Sequence, residues 1–169
     1  MFIRAIHATV PAALIAVGLL GVAAPARAVL GGAPMSTPAD ATARTIAPVA
    51  RAASAIAGSA TTAPANYTVK ETTLSSGTLV REYIAPNGTV FGIAWIGPRP
   101  PDLSELLGSY FPQYVSRINA LRAQQGRRGP IAVEDSGLVV RTGGHMGSFA
   151  GQAWLPQALP AGVSGDDIR

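Results

Sequence analysis

His145 and Ser148 lie three residues apart in the stretch TGGHMGSFAGQAWLP, residues 142–156. Their types and spacing are those of a small hydrolase. His145 would take the proton of Ser148, and Glu134 or Asp135 would orient the imidazole ring. Gly143, Gly144 and Gly147 would leave backbone N–H groups free for a developing oxyanion. Against this, Gly147-Ser148-Phe149 is only a fragment of the G-x-S-x-G nucleophile turn. Both acids also fall on the far side of a predicted strand. The same glycines serve a tight connection between two strands equally well, because they accept positive φ angles. In a third reading the loop binds a ligand or partner, with His145 and Trp154 at its surface.

Metal chemistry has little to build on. The chain holds no cysteine and only two histidines, and the first of these, His7, lies in the N-terminal leader. No H-x-x-x-H or C-x-x-C spacing occurs, and adjacent residues such as His145 and Met146 rarely ligate one ion together. Gly143-Gly144-His145-Met146-Gly147 lacks the Lys-Ser/Thr ending of a phosphate loop. No metal and no cofactor is expected. Without cysteine there is also no disulfide, thiolate nucleophile or lipid-modified N-terminal Cys.

Arginine outnumbers lysine twelve to one, and the net charge is +4. Arg117, Arg122, Arg127 and Arg128 form the one basic cluster, with no interleaved aromatics, so it reads as a solvated helix end rather than a nucleic-acid surface. Arg127 and Arg128 are kept as candidate contacts to a protein or envelope partner.

The elements that would carry these residues follow an address. MFIRAIHATVPAALIAVGLLGVAAPARA combines a positive start at Arg4, an apolar run and the small-x-small site Ala26-Arg27-Ala28. These are the three parts of a secretory signal. The alternative is an uncleaved membrane anchor, for which Pro11, Gly18, Gly21 and Pro25 make a poor permanent span. Cleavage after Ala28 predicts a periplasmic or secreted protein with no stable membrane span, and losing Arg4 and Arg27 takes the net charge from +4 to +2. Residues 29–65 are rich in Ala, Thr, Ser and Pro without aromatics, a composition that reads as a disordered tether. The folded domain is expected over residues 66–163, with residues 164–169 as a flexible tail.

Within that domain, residues 66–74, 78–85 and 89–97 read as three strands joined by Ser75-Ser76-Gly77 and Pro86-Asn87-Gly88 turns. The third is apolar on both faces, which suits a central strand. Glu71, Arg81 and Glu82 are expected to form cross-strand ion pairs on a solvated face. Asp102 and Glu105 then open a helix, and Leu103, Leu106, Leu107, Tyr110, Tyr114, Ile118 and Leu121 recur along it at helical spacing. Pro112 predicts a kink or two abutting helices there, and Gly108, four residues earlier, could ease the bend. Residues 137–143 and 148–156 supply two more strands. The order β-β-β-α-β-β predicts an α+β domain, an antiparallel sheet of four to five strands with one long kinked helix packed on one face.

YTVKETTLSSGTLVREYIAPNGTVFGIAWIGPRPPDLSELLGSYFPQYV and LVVRTGGHMGSFAGQAWLP resemble the bacterial family called domain of unknown function 2844. The leader and the Leu30-Gly31-Gly32 start of the mature chain fit that family too. The resemblance covers nearly all of residues 67–163, and the chain departs from the pattern in its long Ala/Thr/Pro segment before Tyr67. It implies an exported proteobacterial protein and implies no activity. The expectation is a non-enzymatic binding or structural module of the envelope, with a periplasmic hydrolase using His145 and Ser148 as the alternative.

Overall fold

The computed structural model describes residues 30–46, 67–125 and 131–169. The leader with Ala26 and Ala28, residues 47–65 of the expected tether, and Arg127 and Arg128 lie outside the described residues. In chain order the elements are β1 (Thr42–Ile46), β2 (Thr68–Thr73), β3 (Leu79–Ile84) and β4 (Val90–Gly97). Helices α1 (Leu103–Leu107) and α2 (Phe111–Gln125) follow, then β5 (Ile131–Glu134), β6 (Val139–His145) and β7 (Ser148–Trp154). The strands form one antiparallel sheet in the order β1-β2-β3-β4-β7-β6-β5.

The α+β class stands, and the strand count is corrected to seven from four to five. The five expected strands are β2, β3, β4, β6 and β7. The two additions, β1 and β5, are the sheet's edges. All five residues of β1 are exposed, so it carries no apolar alternation to read.

β4 is the middle strand, and its first six residues are buried. Alternation divides the core into two layers. Val80, Ile93, Trp95, Val140 and Ala153 meet Leu106, Leu107, Tyr114 and Ile118 of the helices. On the other face Val69, Tyr83, Ala94, Val139 and Trp154 pack with Ile168.

Asp102 caps α1, its side chain accepting the backbone N–H of Ser104. Just before Pro112 the helix divides into two abutting helices, one of the two outcomes the sequence suggests. It breaks at Gly108, with φ 50° and ψ −119°, and passes through a 3₁₀ turn at Gly108–Tyr110. Pro112 is then the second residue of α2, where its missing N–H has no intrahelical partner to lose.

Both ends of the described chain differ from expectation. Leu30, placed in the tether by composition, is wholly buried in the helix-side core. Backbone bonds from Gly31 N–H to Val90 O (2.7 Å) and from Val90 N–H to Gly32 O (2.9 Å) hold it there. Residues 164–169 are not a free tail. Ser164 and Asp167 form a capping box, and Ile168 is wholly buried against Gly92 on the opposite face. A Cβ at Gly92 would lie 2.6 Å from Ile168 Cδ1, so the glycine makes the seat for this side chain. Among the described residues no helix is long and apolar enough to cross a membrane.

Candidate functional site

The β6–β7 hairpin sets His145 opposite Ser148 across a two-residue turn, Met146-Gly147. Gly147 has φ 84° and Gly144 φ 127°. A Cβ on Gly144 would meet the Phe149 Cα at 2.8 Å. The glycines therefore follow from backbone geometry at a tight hairpin. His145 is exposed, and its Nδ1 lies 3.1 Å from the neighbouring Met146 carbonyl oxygen. The two acids proposed to orient it are engaged elsewhere. Glu134 accepts from Arg141 Nη2 at 2.8 Å. Asp135 accepts from Arg117 Nη2 at 2.7 Å and from Gln113, and the Arg117 bond holds its carboxyl below the usual range. Among the described residues, no group of three or more His, Cys, Asp or Glu could hold a metal ion. Trp154 is buried, with Gly165 against its indole and the Arg141 guanidinium carbon 5.1 Å from its ring centroid. It belongs to the core rather than to a surface.

Next to this hairpin the sheet carries a groove of about 480 Å³, within the size range of small-molecule sites. Its floor follows from strand register. One row across four strands reads Arg81, Ala94, Gln152, Arg141, and the adjacent row reads Leu79, Ile96, Ala150, Gly143. Small side chains at Ala94, Ala150 and Gly143 make the depression, and larger ones at Arg81, Arg141 and Ile96 bound it. The C-terminal segment covers the neighbouring row, where Tyr83, Gly92, Trp154 and Val139 align, and stops short of this one. Ile96 is left 53% exposed, second only to Met146 among the large apolar side chains of the described residues. Arg169 also lines the groove, and its backbone oxygen accepts from Arg81 Nη1 and the Tyr83 hydroxyl, each at 2.8 Å.

Residues 26–168 match the family model described as Protein of unknown function (DUF2844). The chain belongs to this family. Comparison with curated proteins and with solved structures gives no match.

In this DUF2844 protein the charges of β2 and β3 are paired across the strands, as the sequence suggests, but they are not solvated. Glu71 is 4% exposed and accepts from Arg81 Nε at 2.7 Å, opposite it in the ladder, and from Arg44 of β1. The Arg81 bond is the first cause of its lowered pKa, opposed by burial and reinforced by Arg44. Glu82, wholly buried on the helix face, accepts the Met35 N–H at 2.7 Å, with Lys70 Nζ 3.9 Å from its second oxygen. Lys70 donates in turn to the Met35 carbonyl. Burial pushes the Glu82 carboxyl up, and the Met35 bond and Lys70 only partly offset it. This pair fixes the N-terminal segment to the sheet.

Of the sequence candidates, the structure brings His145 and Ser148 together and sends Trp154 inside. The groove residues Arg81, Ala94, Ile96, Arg141, Ala150 and Gln152 were not singled out for a site. Their one sequence signal is small residues at alternate positions, Gly92 and Ala94 in β4 and Ser148 and Ala150 in β7.

Proposed function

We propose that the protein is an exported, non-enzymatic binding module of the bacterial envelope and that the groove is its ligand site. The observation that carries this is an apolar floor left open beside the row that the C-terminal segment covers, with arginines and no acidic side chain in its lining. The export half rests on the leader sequence and its Ala26-Arg27-Ala28 site. The hydrolase alternative has less support, because the hydrogen bonds of Glu134 and Asp135 run to arginines and not to His145.

Native mass spectrometry of the protein purified from its own envelope fraction tests both halves. The expected polypeptide mass lacks residues 1–28 and carries an additional bound mass. Ala150→Trp, which fills the groove from an exposed position, removes that bound mass. A full-length mass in the cytoplasmic fraction overturns export. Identical bound species on both proteins, or none on either, overturn the groove as ligand site.

A further inference from the structure

Resting on that reading, the geometry points to an amphiphilic carboxylate, a hydrocarbon chain ending in one acid group, as the groove's occupant. The head lies at the Arg81–Arg169 end and the chain runs over Ala94 and Ala150, along the Ile96 side chain, toward Gly143. Three features of the groove select this chemistry.

The polar groups of the floor are few. In its two rows Gln152 is the single uncharged polar side chain. The backbone donors and acceptors of β3, β4, β7 and β6 are spent within the ladder. An extended peptide laid on this face would bring one N–H and one C=O per residue and find almost nothing to receive them. A hydrocarbon chain has no such groups to satisfy.

The two ends differ in charge. At the β3 end, Arg44 and Arg81 share the Glu71 carboxylate, Arg81 donates also to the Arg169 main-chain oxygen, and Arg169 adds a third cationic side chain to face these two acceptors. At the β6 end, Arg141 faces two acids, Glu134 at 2.8 Å and Asp166 at 3.8 Å. An anion is therefore favoured at the first end and screened from the second.

Arg81 also keeps donors in reserve. Among the described residues its bonds use Nε, to Glu71, and Nη1, to the Arg169 oxygen. A guanidinium has five N–H groups, so Nη2 is left to meet a carboxylate. The span from β3 to β6 is three strand spacings, about 14 Å at roughly 4.8 Å each, which suits a chain of medium length.

The test titrates the purified protein with decanoate, decan-1-ol and decylamine, following backbone NMR shifts and tryptophan fluorescence. Decanoate is expected to saturate, shifting residues of β4 and β7. The alcohol and amine should bind about tenfold or more weakly, the scale of a lost charge-assisted hydrogen bond. Arg169→Gln, at an exposed position, should weaken decanoate by about as much and leave decan-1-ol unchanged. Ala150→Trp, melting within a few degrees of wild type, should abolish all binding. Equal binding of decanoate and decan-1-ol, or of decanoate to wild type and Arg169→Gln, overturns the carboxylate assignment and leaves the groove standing if Ala150→Trp still blocks it. Decanoate binding that survives in folded Ala150→Trp overturns both. If no amphiphile binds while a mass lost in Ala150→Trp is seen on the envelope-purified protein, the ligand class alone fails.

Discussion

Leu30 is the sharpest test of how the domain is delimited. Composition puts it in a tether, and the structure puts it wholly inside the helix-side core. Leu30→Ala removes three buried carbons and leaves a cavity beneath Leu106 and Leu107, while the backbone bonds at Leu30 and Gly31 stay available. Fully buried Leu→Ala changes cost about 2–5 kcal/mol. Taking about 3 kcal/mol, and roughly 4 °C per kcal/mol for a domain of this size, the melting midpoint should fall by about 12 °C. In urea the midpoint should fall without a change in slope. Ile46→Ala on β1 is the control. That side chain is 36% exposed, and its truncation should cost under about 1 kcal/mol. If the two variants melt alike, Leu30 is not a core residue and the N-terminal segment is no part of the domain.

The remaining predictions concern the sheet and its charges. Gly151→Ala puts a Cβ within 2.6 Å of Trp95 Cε2 and 2.9 Å of the Arg141 carbonyl oxygen. It should cost about 1–3 kcal/mol and disturb the near-UV signal of Trp95; an unchanged melt would show that the ring does not lie there. Glu71 and Glu82 should tilt stability against pH in opposite senses. Glu71, lowered chiefly by its Arg81 bond, contributes stability that is complete above the ordinary glutamate range and fades as pH falls toward its folded value. Glu82, raised by burial, costs the native state progressively more as pH climbs from that range to its raised value. Urea midpoints across acid to neutral pH should thus show Glu82→Gln gaining on wild type as pH rises, and Glu71→Gln losing. His145→Ala should leave stability within about 0.5 kcal/mol of wild type, since the ring is exposed and, among the described residues, bonds its neighbour's carbonyl alone. Retention of the groove's bound mass in that variant would separate His145 from ligand binding.

Much of the fold was legible because it rests on short-range patterns. β4 reads as central from apolar residues at every position, and the β6–β7 hairpin from its glycines. The helix reads from its leucine and tyrosine spacing. Its division into two abutting helices reads from Pro112 and Gly108. The break itself falls at Gly108, because the turn there restarts the count and puts Pro112 in a first turn, where proline loses no bond. β1 was invisible because a strand with no buried side chain has no alternation. Leu30 and Ile168 were missed for a related reason: each is a lone large apolar residue among small or polar ones, and a single residue carries no period. The groove was harder still. Its floor is defined by smallness at Ala94, Ala150 and Gly143, which becomes a shape only once β4 is known to pair with β7, across the intervening helices.

The seating of the two ends has a consequence for the order of folding. The Leu30 N–H bonds the Leu106 carbonyl, and the Tyr83 hydroxyl bonds Arg169 across 86 residues, on opposite faces of the sheet. Neither seat exists before β3, β4 and β7 have assembled, so the β3–β4 hairpin is expected to form before either end closes. Such long-range closure is slow compared with local pairing. The same contacts should open before the central strand does, so amide exchange at Leu30, Gly31 and Ile168 should be faster than along β4.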